Sequence, residues 1–537
     1  MRKPIYALAA LTLIVSLLLA ACARPAPSPT SPAAPTTPPP TTAPAPKVSP
    51  VPTPPLAETP QYGGVLRVPG PVTPRSLIPE TNIVKNWFNM AAYDTLLRVD
   101  EKGELAPWLA TDWKLSPDNK SLTLNLRKGV KFHDGTDFNA AAVKFNIDLR
   151  KAAKLGDYQT VTSVDVIEDY TARLNFSQFE NTVFSSLWFI AGLMHSPTAY
   201  QNDGKDNAKW HPVGTGPFKF VSYEQSTIAK FERFDGYWQK GKPYLNGFEH
   251  VVISDATTRE LALRKGEIQA SDSVEARLVP ELEKEGFAII TAPVETYNVA
   301  IFDSANADSP FAKKKVREAV EYAIDRAAVV KALGYGRWEA LTQMTPAGTY
   351  AYTADIKGRS YDPAKAKKLL EEAGYPVGFK TTILLRDNLK DDWVAVQRYL
   401  KEVGIEATID VADAGRFINA QQKGWNNGLM HRALRVPPDW LQYIYTTLSA
   451  TSNDSKSLLR PPEFEALMKK ALAAPDMSAK RAASQEVVKM MFDEAMVVPL
   501  WGSLSTLAYR KNVHNLGYYL PWGPNKLWGP AEVWFSK

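Results

Sequence analysis

A proline-rich segment from residue 23 to residue 60 divides the chain into a short apolar beginning and a long remainder. The segment holds 15 of the 41 prolines and consists mainly of Pro, Ala, Thr and Ser. It has too few hydrophobic residues to bury a core. Proline holds the backbone near polyproline II, so the segment can extend to roughly 100 Å. We expect a semi-rigid stalk over residues 22–61, with a disordered tail that has no spacing role as the alternative.

The residues before this stalk have the pattern of an export signal. Arg2 and Lys3 precede an apolar stretch from Ile5 to Ala20, which is short and rich in small residues for a membrane span. The stretch ends in Leu19-Ala20-Ala21-Cys22, which resembles the lipobox of bacterial lipoproteins. Cys22 is the only cysteine, so it cannot form an internal disulfide. We expect a signal peptide at 1–21 and a lipid on Cys22. The protein would then be anchored in the cell envelope, on the outer face of the cytoplasmic membrane.

Residues 62–537 have the composition of a globular protein and exceed the usual size of one core. Over the chain, 45% of residues are hydrophobic and 22% are charged, so we expect at least two lobes. Apolar, β-branched runs alternate with segments of helical period, which is typical of α/β architecture. Arg2 and Lys3 contribute two of the net +6 charges, and the other basic residues are spread along the chain. This distribution disfavours nucleic acid as a partner.

Local patterns predict individual elements. β-branched and apolar runs predict strands at 65–68, 122–126, 172–176, 228–233, 250–254, 298–302, 381–385 and 406–410. Apolar residues at helical spacing predict helices at 139–154, 257–265, 313–333, 363–373, 391–403 and 478–494. Asp362-Pro363 places a capping residue before a proline, and Gly374 follows the helix end.

The sequence has none of the common patterns that carry catalysis. It contains no Gly-rich phosphate loop, no HExxH and no Gly-x-Ser-x-Gly. The six histidines show no pair at a metal-ligand spacing on one element; they are His133, His195, His211, His250, His431 and His514. The only thiol is assigned to the lipid. We therefore expect no catalytic residue, no metal site and no cofactor.

Aromatic residues are numerous, with 14 Trp, 22 Tyr and 21 Phe. Several lie in short polar contexts, as in Asn86-Trp87-Phe88-Asn89, Trp425-Asn426-Asn427 and Asp439-Trp440. Aromatic rings offer flat apolar contact with a polar edge, which suits a cleft that holds a polar solute without reacting with it. Most such rings are nevertheless core residues in an ordinary globular protein.

Seven strings resemble the family 5 extracellular solute-binding proteins, the oligopeptide, dipeptide and nickel-chelate receptors of ABC importers. The most specific runs from Leu126 through Phe132-His133-Asp134-Gly135. The others, in chain order, are Leu105-Ala106-Pro107-Trp108-Leu109-Ala110 with Trp113, Gly214-Thr215-Gly216-Pro217-Phe218, Gly236-Tyr237-Trp238, Asp255 to Arg259 with Gly266-Glu267-Ile268, Val316-Arg317-Glu318-Ala319 through Asp325-Arg326, and Tyr361-Asp362-Pro363 through Gly374-Tyr375.

This resemblance covers residues 62–537 and implies a two-lobe fold of the type II periplasmic-binding kind. Lobe I would span 62–293, with an extra subdomain near 96–210, and lobe II would span 294–498. Residues 499–537 would return to lobe I. The two crossings would be hinge strands, and a bound solute would favour a closed arrangement of the lobes.

The resemblance also implies where a solute binds. Ligand contacts are expected in the segment from Trp425 to Tyr443, facing lobe I loops near Asn86. The candidate ligand-binding residues are Asn86, Trp87, Trp425, Arg435, Asp439, Trp440, Tyr443 and Trp501. Peptide receptors of this family pair an aspartate with the α-ammonium of the peptide, but Leu434 falls at that position here. A buried ammonium without a counter-charge is costly, so a peptide N-terminus is disfavoured unless Asp439 reaches it.

Arg435, if it faces the cleft, favours a carboxylate or another anionic acceptor on the solute. Nickel-chelate receptors use a histidine a little downstream, and none occurs here between His431 and His514. We expect a monomeric, membrane-anchored receptor for a peptide or similar polar solute, working with an ABC permease and ATPase. The alternatives are an oligosaccharide receptor, a nickel-chelate receptor and a cell-surface enzyme that uses the same cleft.

Overall fold

The computed structural model describes residues 59–537 apart from 71–75, 82–85, 101–103, 156, 273, 346, 387–389, 436–438, 520–525 and 528. Residues Thr59–Lys537 form one compact unit. The expected signal peptide, Cys22 and nearly all of the expected stalk lie outside the described residues. No helix among the described residues combines the length and the apolar character that a membrane span requires.

The strands are named in chain order. They are β1 (Val65–Gly70), β2 (Leu97–Val99), β3 (Leu105–Pro107), β4 (Ala110–Leu115), β5 (Ser121–Leu126), β6 (Val161–Glu168), β7 (Thr171–Phe176), β8 (Phe218–Glu224), β9 (Ile228–Arg233), β10 (Gly247–Val252), β11 (Ala270–Ser271), β12 (Ala288–Phe302), β13 (Trp338–Ala340), β14 (Phe379–Arg386), β15 (Ile405–Ala412), β16 (Gly428–Arg435), β17 (Val497–Tyr509), β18 (Val513–His514), β19 (Tyr518–Tyr519), β20 (Lys526–Leu527) and β21 (Trp534–Phe535).

The α-helices are named in the same way. They are α1 (Trp87–Ala92), α2 (Ala140–Ala152), α3 (Thr182–Trp188), α4 (Pro197–Ala208), α5 (Ala256–Lys265), α6 (Val279–Lys284), α7 (Lys314–Ala323), α8 (Arg326–Leu333), α9 (Pro363–Glu372), α10 (Lys390–Glu402), α11 (Ala414–Lys423), α12 (Trp440–Leu448), α13 (Pro462–Leu472) and α14 (Met477–Asp493).

The predicted elements are present, and three of them differ in extent. The strand predicted at 298–302 is only the end of β12, which begins at Ala288. The single helix predicted at 313–333 is wrong, because the chain leaves the helical conformation at Ile324 and Asp325 then caps α8 through a bond from the Ala328 amide at 2.9 Å. The strand predicted at 250–254 instead spans Gly247–Val252, where it pairs with β1 and β9. The predicted cap at Asp362 is confirmed by its bond from the Lys365 amide at 2.9 Å.

Two smaller sheets organise the first half of the described chain. A four-stranded sheet has the order β1-β10-β9-β8, with β1 parallel to β10. The C-terminal segment shares its core, since Val513, Leu516 and Val533 pack with Leu66 and Phe248. An antiparallel sheet of order β4-β5-β7-β6 packs against α2 and forms a separate core.

A seven-stranded mixed sheet organises the rest. Its order is β11-β17-β12-β16-β14-β15, with β13 also paired to β17. Side chains alternate across β12, so Val299 and Ile301 belong to a core with α12, α13 and α14, whereas Ala300 and Phe302 belong to a core with α7, α9 and α10. Both faces are therefore covered by helices, as in α/β proteins.

Asp94 joins three separate segments in the first half. Its carboxylate is 5% exposed and accepts bonds from the indole nitrogens of Trp108 at 2.8 Å and Trp238 at 3.0 Å. It also accepts bonds from the hydroxyls of Thr215 at 3.0 Å and Tyr237 at 3.3 Å. Burial raises the pKa of Asp94 to about 6, although these four bonds act to lower it. No cation bonds to this carboxylate among the described residues.

The raised pKa of Asp94 predicts a specific pH dependence of stability. In the folded protein the carboxyl binds its proton more tightly than in the unfolded chain. Its contribution is therefore fully present below about pH 3.8, the ordinary value, and is lost as pH rises through about 6. We expect the unfolding free energy of the wild type, relative to Asp94→Asn, to fall by roughly 3 kcal/mol at most between about pH 4 and pH 8. Urea unfolding of both proteins across that range measures it. A difference that grows with pH would contradict the raised pKa.

Candidate functional site

Two long antiparallel strands, β12 and β17, run through the seven-stranded sheet. They are 15 and 13 residues long, and we call the pair the ribbon. At one end β11 pairs with β17 at Tyr509, and at the other end β16 pairs with β12 from Thr296 to Phe302. The register between β12 and β17 shifts between Thr291 and Val294 and again before Thr296. Such irregularities bend and twist a ribbon locally.

Strand β16 ends beside the shifted part of the ribbon. The backbone of Arg435 lies opposite Thr296, and that of Leu434 lies opposite Tyr297. The side chain of Arg435 is outside the described residues. On the other side, β14 pairs with β16 only from Gly428 to Met430. From 431 to 435 no described strand covers this second edge of β16.

Trp501 lies on β17 opposite Asn298, two residues from Thr296. Its ring is 2% exposed and stacks on Trp338, with centroids 5.2 Å apart and planes at 7°. The Oδ1 of Asn298 accepts a bond from Nε2 of His431 at 3.1 Å, and the side-chain NH2 of Asn298 donates to Ser503 at 3.2 Å. Burial, reinforced by the neighbouring Arg432 charge, lowers the pKa of His431 to about 3, so this imidazole is neutral.

Asp439 caps α12 and lies in a buried charged cluster. It is 2% exposed and forms an ion pair with Lys480, which is 5% exposed. Ser185 donates to its Oδ2 at 2.6 Å and Tyr350 donates to its Oδ1 at 2.7 Å. The amide of Leu441 adds a bond at 3.0 Å. Burial acts to raise the pKa of Asp439, but the Lys480 ammonium and these donors outweigh it and hold the pKa below its ordinary value.

The tryptophans at 440 and 425 are packed inside the same core. Trp440 is 2% exposed and its indole donates to the Met344 carbonyl at 2.8 Å. Trp425 is 7% exposed and donates to the Gly428 carbonyl at 3.0 Å. Both indoles thus have their one donor satisfied by backbone, and their rings contact protein.

Asn86 and Trp87 begin α1 in the first half of the chain. The Asn86 amide donates to the Asn89 side chain at 3.3 Å. Trp87 is 5% exposed, packs in the core of the four-stranded sheet and donates to Asp272 at 2.7 Å. Asp272 directly follows β11, so this bond ties α1 to the end of the ribbon at which β11 pairs with β17.

Tyr443 lies one turn into α12 and is half-buried beside the core. Burial raises the pKa of Tyr443 to about 12, with opposing influences from Arg432 and Asp454. Arg432 and Asp454 form a two-pronged ion pair, and Gln421 donates to Asp454 at 2.6 Å. Arg432 is therefore already engaged within the protein.

A family model described as "Bacterial extracellular solute-binding proteins, family 5 Middle" matches residues 104–455, more than half of the chain.

This chain belongs to the family 5 bacterial extracellular solute-binding proteins.

Its relatives agree with this assignment. The glutathione-binding protein GsiB of Shigella dysenteriae is 30% identical over 439 residues, covering 78% of this chain and 85% of that protein. The structure of the periplasmic binding protein DppA from Helicobacter pylori with peptide STSA has a TM-score of 0.73 at 25% identity, covering 89% of this chain and 99% of that one. NikA from Brucella suis with Fe(III)-EDTA shares the fold, with a TM-score of 0.76 at 22% identity, covering 85% and 97% of the two chains.

The predicted two-lobe, type II α/β fold is confirmed by these structures. The relatives are substrate-binding receptors, so the prediction of an ABC importer's solute-binding protein rather than an enzyme is confirmed as well. Members of the family are extracellular or periplasmic.

The strings that suggested the family are scaffold in this solute-binding protein. The amide of His133 donates to the Gly214 carbonyl at 2.9 Å, and its Nε2 lies 2.9 Å from the Gly216 carbonyl oxygen. The string 126–135 therefore packs directly on the string 214–218. Asp94 then connects Trp108, Thr215 and Trp238, which come from three different strings.

The candidate residues fall into separate groups. Arg435 and Trp501 lie on the two strands that flank β12, opposite residues two positions apart. Asp439, Trp440 and Tyr443 occupy the first turn of α12 and the residue before it. Trp87 and Trp425 are each bonded within their own surroundings, to Asp272 and Gly428. The role of all these candidate residues in solute binding stays a prediction.

Sequence reasoning missed the partners of Asp439. Lys480 is 41 positions away, Tyr350 is 89 positions away and Ser185 is 254 positions away. A signal exists for Lys480 alone, because it lies on the buried stripe of α14 with Ala483, Val487 and Met491. A lysine on such a stripe predicts a buried partner of opposite charge.

The buried ion pair predicts an asymmetric response to mutation. Lys480→Met leaves the Asp439 carboxylate buried without a cation and should lower the unfolding free energy by about 3–5 kcal/mol. Adding Asp439→Asn removes that charge and should restore a large part of the loss. Urea unfolding of the single and double variants measures both effects.

The control is Lys470→Met, which breaks the exposed pair of Lys470 with Glu486. An exposed pair contributes little, so this change should cost less than about 1 kcal/mol. Equal losses for Lys480→Met and Lys470→Met would show that the Asp439 pair is not effectively buried.

Proposed function

We propose that this protein captures a short peptide or a peptide-like solute between its two lobes and delivers it to an ABC permease and ATPase. The observation that carries the proposal is the edge of β16 from 431 to 435, which no described strand pairs with and which lies beside the shifted register of the ribbon. The lobes would meet at the ribbon, with boundaries near 294 and 499, and would close over the solute.

An uncovered strand edge suits a peptide. It presents main-chain N–H and C=O groups that an extended peptide can pair with by adding a strand. Along this edge Ala433 is exposed and small, whereas Leu434 and His431 are buried. Ala433 is thus the position on this edge at which an approaching backbone meets the smallest side chain.

The relatives point to the same chemistry. GsiB is named for glutathione and the DppA complex contains peptide STSA, and both solutes carry amide groups and carboxylates. The oligosaccharide alternative depends on tryptophans in polar loop contexts, whose faces would stack on sugar rings: Trp87, Trp425 and Trp440. These are 2–7% exposed, so their faces are occupied by protein and give that alternative no support.

The charges beside β16 favour an anionic group on the solute. Asp439 is already neutralised by Lys480, so it has little capacity left to pair with a solute ammonium. Arg432 is likewise paired with Asp454. Arg435, at the end of the edge, is the residue we assign to a solute carboxylate, because a guanidinium binds carboxylates with two parallel bonds.

Calorimetric titration tests the assignment of Arg435. Glutathione, peptide STSA and a neutral oligosaccharide are titrated into the wild type and into Arg435→Ala. We expect binding of at least one of the two peptides, and a loss of roughly 1.5–3 kcal/mol in Arg435→Ala from the missing charged bond. The thermal stability without solute should stay close to that of the wild type.

Arg416→Ala is the matched control, because Arg416 pairs with Asp410 on the surface at 2.7 Å and lies on α11. It should bind as the wild type does. Binding of the oligosaccharide alone would overturn the peptide assignment. Unchanged affinity in Arg435→Ala would remove Arg435 from the site.

We further propose that the protein is held on the membrane by a lipid on Cys22, after removal of residues 1–21. Cys22→Ala should release the protein from the membrane fraction without changing its thermal stability, since the lipid would be the anchor. Fractionation of cells that express each form, followed by immunoblotting, measures the release. Retention of Cys22→Ala in the membrane fraction would contradict the anchor.

A further inference from the structure

We propose that α3 is a clasp that holds the two lobes in the closed arrangement. The clasp consists of Asn181 and Ser185 on one side and the ends of α12 and α13 on the other. The inference rests on the lobe motion of the proposed function. Helix α3 belongs to the core of the β4-β5-β7-β6 sheet, whereas α12 and α13 pack on the seven-stranded sheet.

Asn181 supplies donors to the C-terminal end of α13. Its side-chain amide donates to the carbonyls of Ala471 at 2.7 Å and Ala474 at 3.2 Å. Its backbone amide donates to the carbonyl of Leu472 at 2.9 Å. The last carbonyls of a helix have no donors within the helix. Asn181, the residue directly before α3, thus caps the C-terminal end of a helix that lies 290 positions further along the sequence.

Ser185 reaches the buried Asp439 carboxylate one turn further along. This bond of 2.6 Å is the only one in the Asp439 cluster that comes from the first half of the described chain. Ser185 is 7% exposed, and its neighbour Ser186 is 4% exposed. Among the residues that the structure describes, the Ser186 hydroxyl bonds only to the Thr182 carbonyl of its own helix, at 3.4 Å.

The composition of the clasp makes it reversible. The two strands of the ribbon connect the lobes through the polypeptide chain itself, so this connection persists in any arrangement of the lobes. Every contact of α3 with α12 and α13, by contrast, is non-covalent and can break. Opening would break the bonds that Asn181 and Ser185 donate, and water would then solvate the freed carbonyls of α13 and the freed acceptor position on Asp439. The bond from Ser185 to a charged acceptor offsets part of the cost of burying that pair. The clasp is therefore an attachment that has to break when the lobes separate.

Hydrogen–deuterium exchange of the full-length protein tests the clasp. The reporting segments are 181–188, 439–442 and 471–474. In the wild type without solute, we expect them to exchange faster than the core segment 429–431 and to slow when glutathione or peptide STSA binds. Ser185→Ala should speed exchange in all three segments by roughly tenfold or more, the factor for a bond to a charged group.

Ser186→Ala is the control, because it removes a buried hydroxyl from the same helix without touching α12 or α13. It should leave 439–442 and 471–474 unchanged. Asn181→Ala is the second test, and it should speed exchange chiefly at 471–474. If Ser185→Ala does not fold, exchange in Asn181→Ala still tests the clasp.

Two results would overturn the clasp. One is exchange of the three segments at the rate of the core segment in every protein, which would make α3 a permanent part of one core. The other is equal behaviour of Ser185→Ala and Ser186→Ala. Because the comparison without solute involves no ligand, the clasp can stand if neither peptide binds, and it can fail while peptide binding stands.

Discussion

The backbone pairing of β12 with β17 is the interaction on which the rest of the molecule depends. It extends from Ala288 opposite Tyr509 to Ile301 opposite Val497, and it links β11 at one end to β16 at the other. The hydrogen bonds of a strand pair resist separation but tolerate bending, above all where the register shifts. A pair of strands of this kind joins two cores while letting the angle between them change.

The two halves of the molecule stabilise a buried carboxylate with different sets of partners. Asp94 is surrounded by four neutral donors, and its pKa is raised because those donors do not fully replace water. Asp439 has a lysine beside it as well as neutral donors, and its pKa is lowered. The difference lies in one cation, Lys480, and it explains why the pKa values of two similarly buried carboxylates shift in opposite directions.

Membership of family 5 explains what the ribbon, the edge of β16 and the contacts of α3 have in common. A receptor that hands over its solute has to bind it and then release it, so its lobes cannot be joined irreversibly. In the proposed function the ribbon would permit movement, and the edge of β16 that no described strand pairs with would offer main-chain groups to a peptide. The contacts of α3 with α12 and α13 add a second, weaker attachment at a distance along the chain from the ribbon.

Much of the fold was determined by local sequence. The strand Ile228–Arg233 and the helix starting at Pro363 follow from alternation, helical spacing and a capping aspartate, each within about ten residues. The strings around Phe132-His133-Asp134-Gly135 were enough to indicate the family, and hence a two-lobe receptor without catalytic residues. The break at Ile324 was missed because apolar residues continue at helical spacing on both sides of it.

The candidate site depended on tertiary structure. Asp439 stood beside a tryptophan in sequence, but only the fold brought Lys480, Tyr350 and Ser185 to its carboxylate. Trp87, Trp425 and Trp440 had polar neighbours, yet the fold covered their rings and satisfied their indole N–H groups with Asp272, Gly428 and Met344. Burial and pairing across tens or hundreds of positions depend on how the strands are ordered in the seven-stranded sheet. Local periodicity carries no information about that order. The sequence by itself therefore determined the family and the elements, and the tertiary structure decided which buried charges are paired with each other.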